Sequence, residues 1–96
     1  MFVSSSDDEQ IIERVAALDI GKAEVVCCIR LPASEGGTRR LQEVSTHSAM
    51  VPSLCELANR LVELGVRRVV MEATSDYWRA PFYLFEAHGL DPWLVN

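Results

Sequence analysis

Cysteine is scarce and poorly spaced for chemistry. Three are present, Cys27 and Cys28 adjacent and Cys55 alone, which makes neither an even disulfide framework nor a zinc spacing. On a strand, Cys27 and Cys28 point to opposite faces; Cys55 falls in a helical pattern. All three read as small buried hydrophobes in a reducing compartment. The two histidines, His47 and His88, are lone and far apart, so no ligand pair is argued. Long apolar runs are absent. The longest falls well short of a bilayer span, and the N-terminus lacks a basic-then-apolar secretory pattern, so the chain reads as soluble and cytoplasmic, with no membrane partner. Basic residues are outnumbered, nine against fourteen acidic, for a net charge of −5. That sign is wrong for a self-sufficient nucleic-acid binder, whose affinity rests on phosphate neutralisation. Any nucleic-acid role has to come through a metal, a partner or further chain. No Walker loop, no Gly-x-Ser-x-Gly and no Cys/His nucleophile arrangement is present.

What remains is a folding pattern. Ninety-six residues, 49% of them hydrophobic, suit one small domain with a single core. Residues 1–14 read as a polar, acidic leader, and 15–96 as the folded part. Val15-Ala16-Ala17-Leu18-Asp19-Ile20 is an apolar run carrying one acid; its lack of alternation predicts a strand buried on both faces. The short Gly21-Lys22-Ala23 connection then predicts an antiparallel hairpin with a second strand over 24–31. Pro32-Ala33-Ser34-Glu35-Gly36-Gly37-Thr38 reads as a loop, and a third strand over about 40–47 has the polar character of an edge.

Leu54, Leu57, Ala58, Leu61 and Leu64 follow helical spacing, with Gly65 where a terminating glycine belongs. Ser53 and Glu56 read as a capping box, with Pro52 just outside it. Val69-Val70-Met71-Glu72-Ala73-Thr74 is a fourth strand, parallel to one already in the sheet because a helix precedes it. A second helix follows, with Pro81 in its first turn, Gly89 at its end, and Trp78, Phe82 and Phe85 on one core-facing side. Asp91-Pro92 reads as a break before a fifth strand beginning at Trp93. Three antiparallel strands followed by α-β-α-β is the order of the ribonuclease H-like fold, an α/β class with a mixed sheet.

Asp19 and Glu72 are the anomalies, each an acid near the end of an apolar strand. On neighbouring strands about 4.8 Å apart they would meet in a half-buried crevice at the carboxyl ends, where open α/β sheets carry their sites. Two like charges there call for a cation, and oxygen ligands favour Mg²⁺ or Mn²⁺ over zinc. Such an ion activates water or a hydroxyl in phosphoryl chemistry. Asp76 is a possible extra ligand at the crevice mouth. The plainer roles stay open: Asp19 as a turn cap before Gly21, Glu72 as the partner of Arg67, Arg68 or Arg79, Lys22 as a solvated turn lysine.

Three stretches, Leu18-Asp19-Ile20-Gly21-Lys22, then Val70-Met71-Glu72-Ala73-Thr74 with Tyr77-Trp78, then Trp93-Leu94-Val95-Asn96, resemble the N-terminal domain of the insertion sequence 110 transposases. These are the DEDD-type, RuvC-like enzymes, and the resemblance spans about residues 15–96. It implies a ribonuclease H-like domain, truncated at the fifth strand, in which Asp19 and Glu72 are catalytic and are the first two of four Mg²⁺-binding carboxylates. It further implies DNA strand cleavage and transfer by the full-length protein, with DNA and a guide RNA as partners and a homo-oligomeric state. This chain, lacking the last two acids and the C-terminal domain, is then expected to be inactive alone. The family usually has a glycine after the Glu-Ala/Ser-Thr motif; here Ser75-Asp76 follows.

Two other classes compete. Actin-like ATPases and sugar kinases also begin with an Asp-x-Gly hairpin on the same kind of sheet, although they use glycine, serine and threonine in that turn to cradle phosphate, and Lys22-Ala23-Glu24 supplies none. A non-catalytic interaction domain would use Trp78, Tyr83 and Trp93 as an interface.

Overall fold

A computed structural model describes residues 14–32 and 40–95. The elements run β1 (Val15–Ile20), β2 (Glu24–Pro32), β3 (Arg40–Ser48), α1 (Val51–Glu63), β4 (Arg68–Ala73), α2 (Arg79–Ala87) and β5 (Asp91–Leu94). The strands make one sheet in the order β3-β2-β1-β4-β5. Among the described residues the fold is therefore a mixed α/β sheet of five strands with two helices. β1 and β2 pair antiparallel, as do β2 and β3; β4 lies parallel to β1, and β5 parallel to β4. Each parallel step needs a long crossover, and α1 and α2 provide the two. The expected leader lies outside the described residues except for Arg14, and the expected loop over 32–38 does so except for Pro32, which ends β2.

Burial corrects one expectation. β1 is covered on one face, not both: Ala16, Leu18 and Ile20 are buried, whereas Ala17 and Asp19 are exposed. The apolar run hides a period of two, because alanine and valine serve either face. Val25, Cys27 and Ile29 of β2 and Val69 and Met71 of β4 join the same buried side. Leu54, Leu57, Ala58 and Leu61 of α1 and Phe85 of α2 complete a single core on it, with Trp78 and Phe82 packed half-buried alongside. Both described helices lie on one face of the sheet, and among the described residues no helix covers the other, open face.

The helix ends show which local signals prevailed. α1 starts at Val51 with Met50 as its cap residue, so Pro52 lies inside the first turn and the Ser53/Glu56 box does not form. Proline is preorganised for that turn, and the Met50 N–H is satisfied by Ser48 Oγ at 3.1 Å. At the other end Gly65 adopts φ +77°, and Val66 and Gly65 donate to the Leu61 and Val62 carbonyls, the paired closure that glycine permits. Arg14 Nη1 also donates to the Leu64 carbonyl at 3.0 Å, placing a cation at the negative end of the helix. Asp91-Pro92 does not break the chain; both residues belong to β5, since an outermost strand tolerates a proline.

Candidate functional site

The candidate site grows from the end of β1. Asp19 is the last outward-facing residue of that strand, and in the parallel register its partner on β4 is Glu72. Register partners on adjacent strands point to the same side, so the two carboxylates project together from the open face at the carboxyl ends of both strands. Both are exposed. The expected half-buried crevice is thus an open rim, and water reduces the repulsion between the two charges to about 1 kcal/mol at roughly 5 Å.

The turn beside them is short and tied down. The Gly21 N–H donates to the Glu24 carbonyl at 2.9 Å, and the Ala49 N–H donates to the Ala23 carbonyl at 2.9 Å. Gly21 does not have a positive φ, and a Cβ there would meet only the Glu24 carbonyl oxygen at 3.4 Å. The hairpin therefore does not need a glycine for its own geometry; what the missing side chain leaves is room above the turn. Asp19, Gly21, Lys22, Ala23, Glu24 and Val26 line a shallow, open depression of about 390 Å³ at this point. It holds one cationic side chain, Lys22, between Asp19 and Glu24.

The other candidates are placed apart from this pair. Asp76 is exposed, with Arg79 Nε 3.8 Å from its Oδ2 and Ser75 Oγ donating to its Oδ1 at 3.4 Å. His47 bonds Ser45 at 2.7 Å, and His88 Nδ1 bonds the Leu84 carbonyl at 2.9 Å. Among the described residues no three acids, histidines or cysteines gather as a metal cluster. Burial pushes the Cys27 thiol up to about 11, with smaller pushes from Cys28 and Glu43 and an opposing pull from Arg60, so it is an inert core thiol. Of the expected aromatic interface, Trp78 packs half-buried against Phe82, their ring centroids 5.6 Å apart, while Tyr83 and Trp93 are exposed.

Two features escaped the sequence reading. Ser75, at the exit of β4, adopts φ +57°, a left-handed conformation uncommon for a residue with a side chain and often found at functional turns. Its signal was the serine standing where a glycine would be ordinary. The second is Arg68, whose guanidinium lies 4.4 Å from the centroid of the Trp93 ring on the open face.

No family model matches the chain, and no curated protein matches it. Solved structures do. A Ppx/GppA family member from Aquifex aeolicus superposes with a TM-score of 0.51 at 19% identity, covering 88% of this chain and 35% of that one. The type II variant of the Aquifex aeolicus Ppx/GppA phosphatase gives 0.51 at 16% identity over 88% and 36%. The Aquifex aeolicus PPX-GPPA enzyme gives 0.52 at 19% identity over 88% and 36%. At these identities the likeness is one of fold, and the chain spans about a third of the length of those proteins.

The transposase resemblance is overturned. The three solved structures above that share this fold are Ppx/GppA proteins, and no family or curated match supports an insertion sequence 110 transposase or a role in DNA recombination. The physical reason lies in where the three stretches fall. They cover the end of β1, the end of β4 and the end of β5, and an acid at a strand end followed by a turn reports a sheet of this layout rather than one chemistry performed on it. The DNA and guide-RNA partners rested on that resemblance alone and are not carried further.

Proposed function

We propose that this chain is a phosphate-binding domain of the actin-like ATPase and sugar-kinase kind, with its site at the rim formed by Asp19, Glu72 and the 21–23 turn. One juxtaposition carries the reading: two acids in register on parallel strands, directly followed, on one of them, by a tight glycine turn bearing a lysine. Three antiparallel strands followed by α-β-α-β suit a ribonuclease H-like and an actin-like sheet alike. The likeness in fold to Ppx/GppA proteins, one of them named a phosphatase, favours the actin-like one.

The donor set fits a hard divalent ion. Mg²⁺ is ordinarily held by one or two carboxylates, with water and substrate phosphate oxygens completing its octahedron; Asp19 and Glu72 supply that number on an accessible rim. When bound, the ion would polarise a phosphoryl oxygen or acidify a coordinated water. Lys22 acts as a point charge on the phosphate, and the turn backbone, unobstructed at Gly21, lets the phosphate approach. Because Ala23 and Glu24 offer no hydroxyl, the grip depends on Lys22 and the ion together.

Isothermal titration of the purified chain with ATP or pyrophosphate, with and without Mg²⁺, tests this. The expected result is binding that requires Mg²⁺ and weakens at least about tenfold, or 1.4 kcal/mol, in both Lys22→Ala and Asp19→Asn. Binding indifferent to both substitutions, or no heat at millimolar ligand, contradicts it.

A further inference from the structure

Three rows of side chains cross the open face, because register partners on neighbouring strands point the same way. The middle row is apolar or small on every strand: Val44, Cys28, Ala17, Val70 and Trp93 are successive partners from β3 to β5. Val44 is 61% exposed and Trp93 48%. The row toward the amino end of β1 has Arg30 and Arg68 on either side of Val15, with Asp91 at the outer edge. The row toward the carboxyl end has Val26, Asp19 and Glu72 at its centre. An apolar band thus separates a band carrying two arginines from a band carrying two acids.

We propose that this face docks onto the same face of a second copy of the chain, about a two-fold axis lying along the apolar row. That rotation lays apolar row on apolar row and turns each arginine row over the partner's acidic row. Arg68 then stands opposite the partner's Glu72, and Arg30 diagonally opposite the partner's Asp19, each pair occurring twice by symmetry. The guanidinium of Arg68, held over Trp93, is already on the face it would use. The other in-plane axis, along β1, would set Arg30 over the partner's Arg68 and Asp19 over its own copy, and like charges reject it. Five strands about 4.8 Å apart and three rows about 6.7 Å apart span roughly 24 by 20 Å. Both copies together bury on the order of 1,000 Å², the lower limit for a specific interface. The dimer covers Asp19 and Glu72 and so competes with the phosphate site, but it uses them only as surface charges and is read without metal or phosphate, so the two proposals fail separately.

Sedimentation of the full 96-residue chain in EDTA and low salt, across the micromolar range, tests it. The mass is expected to rise with concentration toward two chains, and less so in high salt. A short bismaleimide is expected to join Cys28 to the partner's Cys28, which this axis sets face to face, with no product in Cys28→Ser. Ala17→Lys, or Val44→Lys should the first not fold, is expected to leave a monomer with an unchanged circular dichroism spectrum. Arg68→Glu and Glu72→Arg each weaken association at least tenfold, and the double reversal restores it. A wild-type monomer throughout, a dimer indifferent to the lysine substitutions, or cross-linking through Cys55 overturns the proposal.

Discussion

Cys27 and Cys28 are consecutive residues of β2 in different environments. Cys27 is fully buried in the core, its thiol raised to about 11 by that burial; Cys28 is only half-buried and faces the open side. The same division runs through β1, where Leu18 packs inward and Asp19 projects outward. One face of the sheet is thus a close-packed interior that carries the stability, and the other carries the acid pair Asp19 and Glu72. Placing an acid pair on the open face costs little, because water still reaches it. On the buried face the same pair would cost several kcal/mol per charge.

Truncation should separate the two faces most sharply. Phe85→Ala, in the fully buried core, is expected to cost about 3–5 kcal/mol, a large share of the stability of a domain this size. Val44→Ala on the open face should stay within about 0.5 kcal/mol. Urea denaturation of the two variants checks this, and equal losses would break the distinction.

Alkali should separate them next. A thiol whose folded value lies above its unfolded one keeps its proton longer when folded, so stability is full below pH 9.0 and declines as pH rises toward about 11. Melting temperatures of the wild type and Cys27→Ala should therefore draw together across that window. Parallel curves for Cys27→Ala and wild type would contradict the assignment.

The smallest effect belongs to the acid pair. Like charges in directly opposed positions are destabilising, so Asp19→Asn with Glu72→Gln should raise metal-free stability by about 0.5–1 kcal/mol, read from thermal melts in EDTA. A loss of stability would mean that these carboxylates hold the fold together.

Much of this arrangement is legible in the sequence, for identifiable reasons. The helical spacing from Leu54 to Leu61 and the glycines at 65 and 89 act locally, and the structure follows them. The parallel placement of β4 follows from the length of its crossover. The faces of β1 were not legible, because Ala17 can sit on either side and whether a face is covered depends on distant helices. The Ser53 cap gave way to Pro52 one residue earlier, a competition between two signals that both favour a helix start. The register of Asp19 with Glu72 was anticipated from the strand ends, but the open, water-exposed rim was not. Short motifs at strand ends pointed to one family while the whole fold matched another, since such motifs record topology before chemistry.

The proposed site requires Asp19 and Glu72 together to hold a divalent ion at the rim of the open face. Titrating Mn²⁺ into isotopically labelled protein and following paramagnetic broadening of the amide signals tests it directly. Broadening is expected first at Ile20, Gly21 and Ala73, and it should disappear in the Asp19→Asn, Glu72→Gln double variant. Broadening centred on Asp76 or Asp91, or a pattern unchanged by the double variant, would contradict the account.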